Sequence, residues 1–250
     1  MKRHALIVGG TNGIGLAIAT AFCYENIKVS VVGRDNSNIL KLQTKFDDLS
    51  FIKYDFLSDS DLNELVELIT KLNSPIDILV NCAGYLPPLK LFKDYSYEEF
   101  KKTIHINLNV PVFITRFVLS EMLKMQFGVI INISSLAAIK PAPKWMAYNI
   151  SKAGLDMFSR TLAQELIESN IKIYSVNPGA TRTSMRHSAF PNENPLKLPH
   201  PIEMVGLYIY LIRELPPSSG DIIDLYDWLK NNQNWAEYGK SFNQLTVGMF

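Results

Sequence analysis

The chain has 250 residues, of which 47% are apolar and 20% charged, and its formal charge is +1. That length fits one large α/β domain or two small ones and is enough to bury a substantial core. The balanced charge, with no basic stripe, argues against a nucleic-acid surface, and no apolar run reads as long enough to span a bilayer.

The opening MKRHALIVGG has a basic start and a short apolar run that meets glycines at once, so it reads as a strand over 4–9 rather than a secretory leader. The loop VGGTNGIG follows, with Gly9, Gly13 and Gly15 opening a helix over 13–26. A glycine turn at a strand-to-helix junction lets backbone approach a pyrophosphate, and the helix N-terminus offers unpaired N–H groups and a favourable dipole. Gly9, Thr11, Asn12, Gly13, Ile14 and Gly15 are the candidate phosphate-binding residues. The spacing is G-x-x-x-G-x-G rather than G-x-G-x-x-G, and a tight turn of any α/β protein is the competing reading.

A second strand, 28–32, ends in VVGRD. An acidic residue at this tip would bind the ribose diol of NAD, whereas Gly33 and then Arg34 stand here, and a guanidinium grips a 2′-phosphate bidentately. This favours NADP(H) and leaves NAD(H) open, because Asp35 could swing toward the diol and Arg34 could be a solvated charge. A third strand, 50–54, leads to Asp55 and Phe56; the Asp55 carboxylate could accept from an adenine amino group or cap a turn. A helix over 59–72 and a strand over 76–80 follow, and NCAG then places Asn81, Ala83 and Gly84 where small residues leave room for a ligand.

After a long helix over 96–126, the strand 128–133 runs into Ser134 and Ser135. Tyr148 lies thirteen residues beyond Ser135, and Lys152 four beyond Tyr148, within a helix over 146–169. Residues four apart share a helix face. A carbonyl that accepts hydride becomes an alkoxide needing a proton. A free phenol titrates near pH 10, and a neighbouring ammonium is expected to lower that value. A serine hydroxyl can hydrogen-bond the developing oxyanion. A strand over 172–176, a proline-bearing loop over 180–201, a helix over 202–215 and a strand over 221–225 complete the alternation. Such alternation predicts a single α/β domain over 1–250, a doubly wound parallel sheet of about seven strands in the Rossmann manner with helices on both faces.

Taken together, these motifs resemble the compact short-chain dehydrogenase/reductase family over residues 4 to about 225. The resemblance implies a catalytic set of Asn107, Ser135, Tyr148 and Lys152, with Asn107 holding a water for the proton relay. It implies that Lys152 and Tyr148 also meet the cofactor, and that Pro178, Gly179, Thr181 and Thr183 meet the nicotinamide end. Val8 and Cys82 depart from the family's threonine and second asparagine, which removes polar side chains that tie local backbone. The stretch from Asn177 through Ile212 resembles the YciK-like branch of bacterial oxidoreductases more closely, while the tail over 226–250 matches no such pattern.

The expected activity is carbonyl–alcohol interconversion by hydride transfer. The alternative is a regulator of the same fold that binds the dinucleotide without turnover, and such proteins usually lose the tyrosine or lysine. A sugar-nucleotide epimerase would need a longer C-terminal domain. A homodimer or homotetramer built on the two long helices is implied by the resemblance, and a cytoplasmic setting by the two unpaired cysteines, Cys23 and Cys82. His4, His105, His187 and His200 have no ligand spacing, so no metal is expected. Tyr85, Leu136, Trp145, Met146, Met185 and Phe190 suggest an apolar substrate pocket, and Arg182, Arg186 and Lys197 could receive an anionic one. The tail aromatics Trp228, Trp235, Tyr238 and Phe242 could cover a partner, the active site or their own domain.

Overall fold

Strands that are apolar without alternation must be covered on both faces. The computed structural model, which describes residues 2–57, 61–217 and 220–246, covers them so. Its strands are β1 (His4–Val8), β2 (Lys28–Gly33), β3 (Leu49–Lys53), β4 (Ile78–Asn81), β5 (Gly128–Ile133), β6 (Ile171–Asn177) and β7 (Ile222–Asp224). All pair in parallel in the order β3-β2-β1-β4-β5-β6-β7. The winding reverses between β1 and β4, so the crossovers leave a crevice at the carboxyl ends of those strands, the usual ligand position of a doubly wound sheet.

The helices are α1 (Gly13–Tyr24), α2 (Ser37–Gln43), α3 (Leu62–Thr70), α4 (Tyr97–Ile104), α5 (Val110–Met125), α6 (Met146–Glu165), α7 (Ser184–Ala189), α8 (Gly206–Glu214), α9 (Leu225–Asn231) and α10 (Gln233–Leu245). Successive strand residues feed opposite cores. Ile7, Val31, Val80 and Ile131 pack under α1 and α8. Leu6, Val8, Leu79 and Ile130 pack under α3 and α5. Val8, at a threonine position of the family pattern, is fully buried in this second core.

The helix expected over 59–72 starts at Leu62, where Asp61 caps it by accepting from Asn63 N–H at 2.9 Å; its expected start at Asp59 lies outside the described residues. The single helix expected over 96–126 is α4, a π turn over His105–Asn109, and α5. It opens on a reciprocal cap, Ser96 with Glu99, and closes where Gln126 turns left-handed. The whole run, Tyr97–Met125, contains an 18-residue window of mean hydropathy 1.2, so it has the length and composition of a membrane span, contrary to the sequence reading. Val110, Ile114, Val118 and Met122 spend that apolarity against the sheet. The loop expected over 180–201 contains α7 and a short 3-10 turn, Pro195–Lys197.

The described part of the tail, through Thr246, is largely helical and covers its own domain. Trp235, Tyr238 and Phe242 of α10 join the core formed by α1 and α8, and contacts between ring pairs run from Tyr210 through Trp235, Tyr238, Phe242 and Tyr24 to Phe46.

Candidate active site

The crevice is a cleft of about 380 Å³ that runs along the carboxyl edge of the sheet, within the roughly 300–1,000 Å³ of small-molecule sites. One end is the glycine loop. Gly9 holds φ +84°, and a Cβ there would sit 2.5 Å from the Ala83 backbone, so β1 and β4 can approach only with glycine at this position. Thr11, Asn12, Gly13 and Ile14 line the cleft. The N-terminus of α1 has no side-chain cap and no acidic residue in its first turn. Its free N–H groups and positive dipole end therefore suit a phosphate. Gly15 is not part of the wall; it packs against the Gly9 carbonyl and lets α1 seat on the loop.

Arg34 and Asp55 stand together at this end, with Nε and Oδ1 4.0 Å apart and both side chains largely exposed. Asp35 turns away. Its carboxylate takes the Ser37 N–H and hydroxyl, each at 2.9 Å, and these bonds hold it below the usual carboxylate range. The diol-binding option left open by the sequence is thus occupied by a local turn. Asp55 Oδ1 accepts from Leu57 N–H at 3.0 Å, so the carboxylate forms a turn while still facing the cleft, beside Phe56.

The other end holds Ser135, Tyr148 and Lys152. Ser135, at the start of a 3-10 turn after β5, accepts from Ala137 N–H at 3.2 Å, and its hydroxyl lies near enough to the Tyr148 phenol to draw that pKa down. Tyr148 and Lys152 share a face of α6 and are both buried. Lys152 Nζ donates to the Ile133 carbonyl at 2.8 Å and lies 5.8 Å from the Tyr148 ring centroid. Burial pushes the phenol up to about 12 and the ammonium down to about 8. The sequence reading expected the ammonium to lower the phenol. Burial dominates the phenol instead, and the ammonium is bonded to the Ile133 carbonyl rather than to the phenol oxygen.

Asn107 sits in the π turn and is fully buried behind the cleft. Its Oδ1 accepts from Tyr85 N–H at 2.7 Å, and its Nδ2 donates to the Tyr85 carbonyl at 2.9 Å and to Ser151 Oγ at 3.1 Å. The side chain thus clamps the segment after Gly84 to α6. Asn81 likewise faces away from the cleft, donating to Thr115 Oγ1 at 3.1 Å and Asn132 Oδ1 at 2.8 Å. Ala83 and Gly84 do line the cleft, as do Pro178, Gly179, Thr181 and Thr183. The Thr181 hydroxyl bonds the Pro178 carbonyl at 3.0 Å, and Thr183 caps α7 by accepting from Arg186 N–H at 3.1 Å.

Some supporting residues escaped the sequence reading. Asn177 Oδ1 accepts from Leu136 N–H and Gly179 N–H, each at 3.1 Å, and Nδ2 donates to Asp224 at 2.7 Å. Tyr226, from the tail, donates to the Ala180 carbonyl at 2.6 Å and packs so closely on Gly179 that a Cβ there would clash with its ring. Asp156 lies one turn beyond Lys152 and is 4% exposed. The Ser134 and Ser175 hydroxyls lie beside its carboxylate and draw its pKa down, but fall short of hydrogen-bonding geometry, and burial raises it on balance. Spacing alone could have found Asp156, the third member of an i, i+4 series with Tyr148 and Lys152.

The short chain dehydrogenase family profile matches residues 3–194, from β1 past α7. The chain belongs to the short-chain dehydrogenase family. Members of this family bind NAD(P). An uncharacterised oxidoreductase from Thermotoga maritima is 32% identical over 186 residues, 73% of this chain and 72% of its own. Among solved structures, a short-chain dehydrogenase from Shigella flexneri complexed with NADP superposes with a TM-score of 0.82 at 26% identity, covering 90% of this chain and 97% of that one. The oxidoreductase YciK from Escherichia coli superposes at 0.81 with 25% identity, covering 89% and 94%. The likeness to the YciK-like branch seen in the sequence is thus also structural.

Proposed function

We propose that the protein interconverts a carbonyl and an alcohol with NADP(H), with Tyr148 moving the proton. The buried Tyr148 phenol in the cleft, with the Ser135 hydroxyl beside it and Lys152 on the same helix face, carries the reading. The uncapped N-terminus of α1 fits a dinucleotide pyrophosphate. Thr11, Asn12, Gly13 and Ile14 would hold that group, Arg34 the adenosine end, and Pro178, Gly179 and Thr183 the nicotinamide end. When bound, the dinucleotide supplies or accepts the hydride.

The rest of the chemistry belongs to the chain. A phenol held near 12 keeps its proton at neutral pH, so Tyr148 is poised to donate to an alkoxide during reduction. The Ser135 hydroxyl is placed to hydrogen-bond the same oxygen. The phenolate left after donation gains stabilisation from the Lys152 ammonium within the low-dielectric cleft.

This arrangement predicts a pH profile. Lys152 is charged below about 8 and loses its proton above that value. Reductive kcat/KM, which reports the free enzyme, is expected to be level below that pH and to fall above it. A rate that stays level to the ordinary lysine range would show that the charge on Lys152 does not assist the proton transfer.

The preference for NADP(H) rests on exposed Arg34 facing the cleft while Asp35 is tied to Ser37. The NADP bound to the Shigella flexneri relative agrees with it. Arg34→Asp is expected to weaken NADPH by about one to two orders of magnitude, as for the loss of a charge-assisted bidentate contact, and to leave NADH little changed. Titration of both cofactors by fluorescence measures this, and equal losses would remove the phosphate-clamp role.

A further inference from the structure

The substrate half of the cleft has one continuous aromatic wall. Trp145, immediately before α6, meets Tyr148 edge to face, with ring centroids 5.7 Å apart at 73°. On its other side it stacks with Phe190 from the end of α7, at 5.9 Å and 29°. The proton donor and the substrate loop are thus joined by a ladder of three rings. Met185 and Ala189 add further apolar surface from the same loop.

The cations named by the sequence as possible anion receivers are otherwise engaged. Arg186 places Nε and Nη2 on the two carboxylate oxygens of Glu193, each at 2.7 Å, and its guanidinium carbon lies 3.8 Å from the Phe190 ring centroid. A bidentate carboxylate fills the guanidinium fork and cancels its charge. Arg182 donates Nε and Nη2 to the Leu198 carbonyl, and Lys197 does not line the cleft. The remaining cation beside the reacting groups, Lys152, is buried and bonded to Ile133.

We infer that the substrate is an uncharged ketone or alcohol carrying a flat apolar group, an aryl or cyclic one, which lies along Trp145 and Phe190, and that the Arg186–Glu193 pair excludes carboxylate-bearing analogues. The inference rests on the carbonyl–alcohol reading above. A flat ring fits a ring wall by offset or edge contact, which adds to the gain from burying its area. An anion entering the cleft would have to displace Glu193 to reach a guanidinium, or give up its hydration to an apolar wall. The paired guanidinium also packs on the Phe190 ring, which holds that ring in place.

NADPH oxidation by the full chain would be followed with acetophenone, 2-butanone and 4-acetylbenzoate. Acetophenone is expected to exceed the other two in kcat/KM by about tenfold or more. Phe190→Ala is expected to lower the acetophenone-to-butanone ratio of kcat/KM by roughly tenfold. Glu193→Gln, which frees the Arg186 charge, is expected to raise 4-acetylbenzoate relative to acetophenone by roughly threefold or more. Turnover in which 4-acetylbenzoate leads, or in which the Phe190 variant leaves the ratio unchanged, would overturn the substrate class and leave the activity standing. No relative gain in the Glu193 variant would overturn the exclusion role of the ion pair. No turnover of any carbonyl alongside tight NADPH binding would overturn the activity itself, and the substrate class with it.

Discussion

Tyr148→Phe is expected to lower turnover by about a thousandfold or more on any substrate the wild type accepts, since positioned general acids contribute roughly 10²–10⁴. The substitution keeps the ring, so the edge contact with Trp145 and the burial on α6 survive. What disappears is the hydroxyl beside Ser135. NADPH affinity should change by no more than about tenfold, the worth of a single hydrogen bond. Measuring kcat beside the NADPH Kd separates these two effects. A variant that turned over at near the wild-type rate would place the proton donor elsewhere. A loss of NADPH binding as large as the loss of rate would make Tyr148 a cofactor residue rather than an acid.

Phe242→Ala is expected to destabilise the fold by about 3–5 kcal/mol, the usual effect of removing a buried aromatic ring. For a chain of this length that corresponds to a fall in Tm of roughly 10 °C or more. Phe242 is 2% exposed and contacts Tyr24 and Tyr238 edge to face, with ring centroids 5.9 Å and 5.5 Å away. Around it, Glu25 is bonded to both Arg213 and Tyr238, which fastens α10 to α1 and α8. Gly206 of α8 faces the Trp235 carbonyl so closely that a Cβ has no room. Lys240→Ala, on the exposed side of the same helix, should shift stability by no more than about 0.5 kcal/mol. Equal melting of the Phe242 variant and the wild type would mean that the tail does not stabilise its own domain.

The seven strands were legible because each is a short apolar run closed by a turn signal, and a strand buried on both faces can hardly look otherwise. The glycine loop and the Tyr148–Lys152 pair were legible for a related reason: their spacing is local, and a helix or a tight turn converts sequence spacing directly into direction in space. The tail was not. Its aromatics follow no strand period, and whether Trp235 and Phe242 meet a core depends on how α1 and α8 lie, which are far away in the chain. The long helix misled in a different way. Its length was right, but the π turn that places Asn107 behind the cleft is a register change of one residue that no periodicity over 96–126 announces.

The sequence by itself determined the parallel sheet, the glycine loop and the Tyr148–Lys152 pair, because each is written in contiguous or helically spaced residues. Tertiary structure alone decided what surrounds them. It buried Tyr148 and Lys152 deeply enough to move their pKa values apart from their free ones, the phenol up and the ammonium down. It turned Asp35 onto Ser37 and left Arg34 at the cleft. It closed Arg186 on Glu193 and laid Phe190 against Trp145. Dielectric surroundings, charge pairing and ring contact depend on which distant segments meet. The family could therefore be read along the chain, whereas the polarity of the cleft could be read only across the fold.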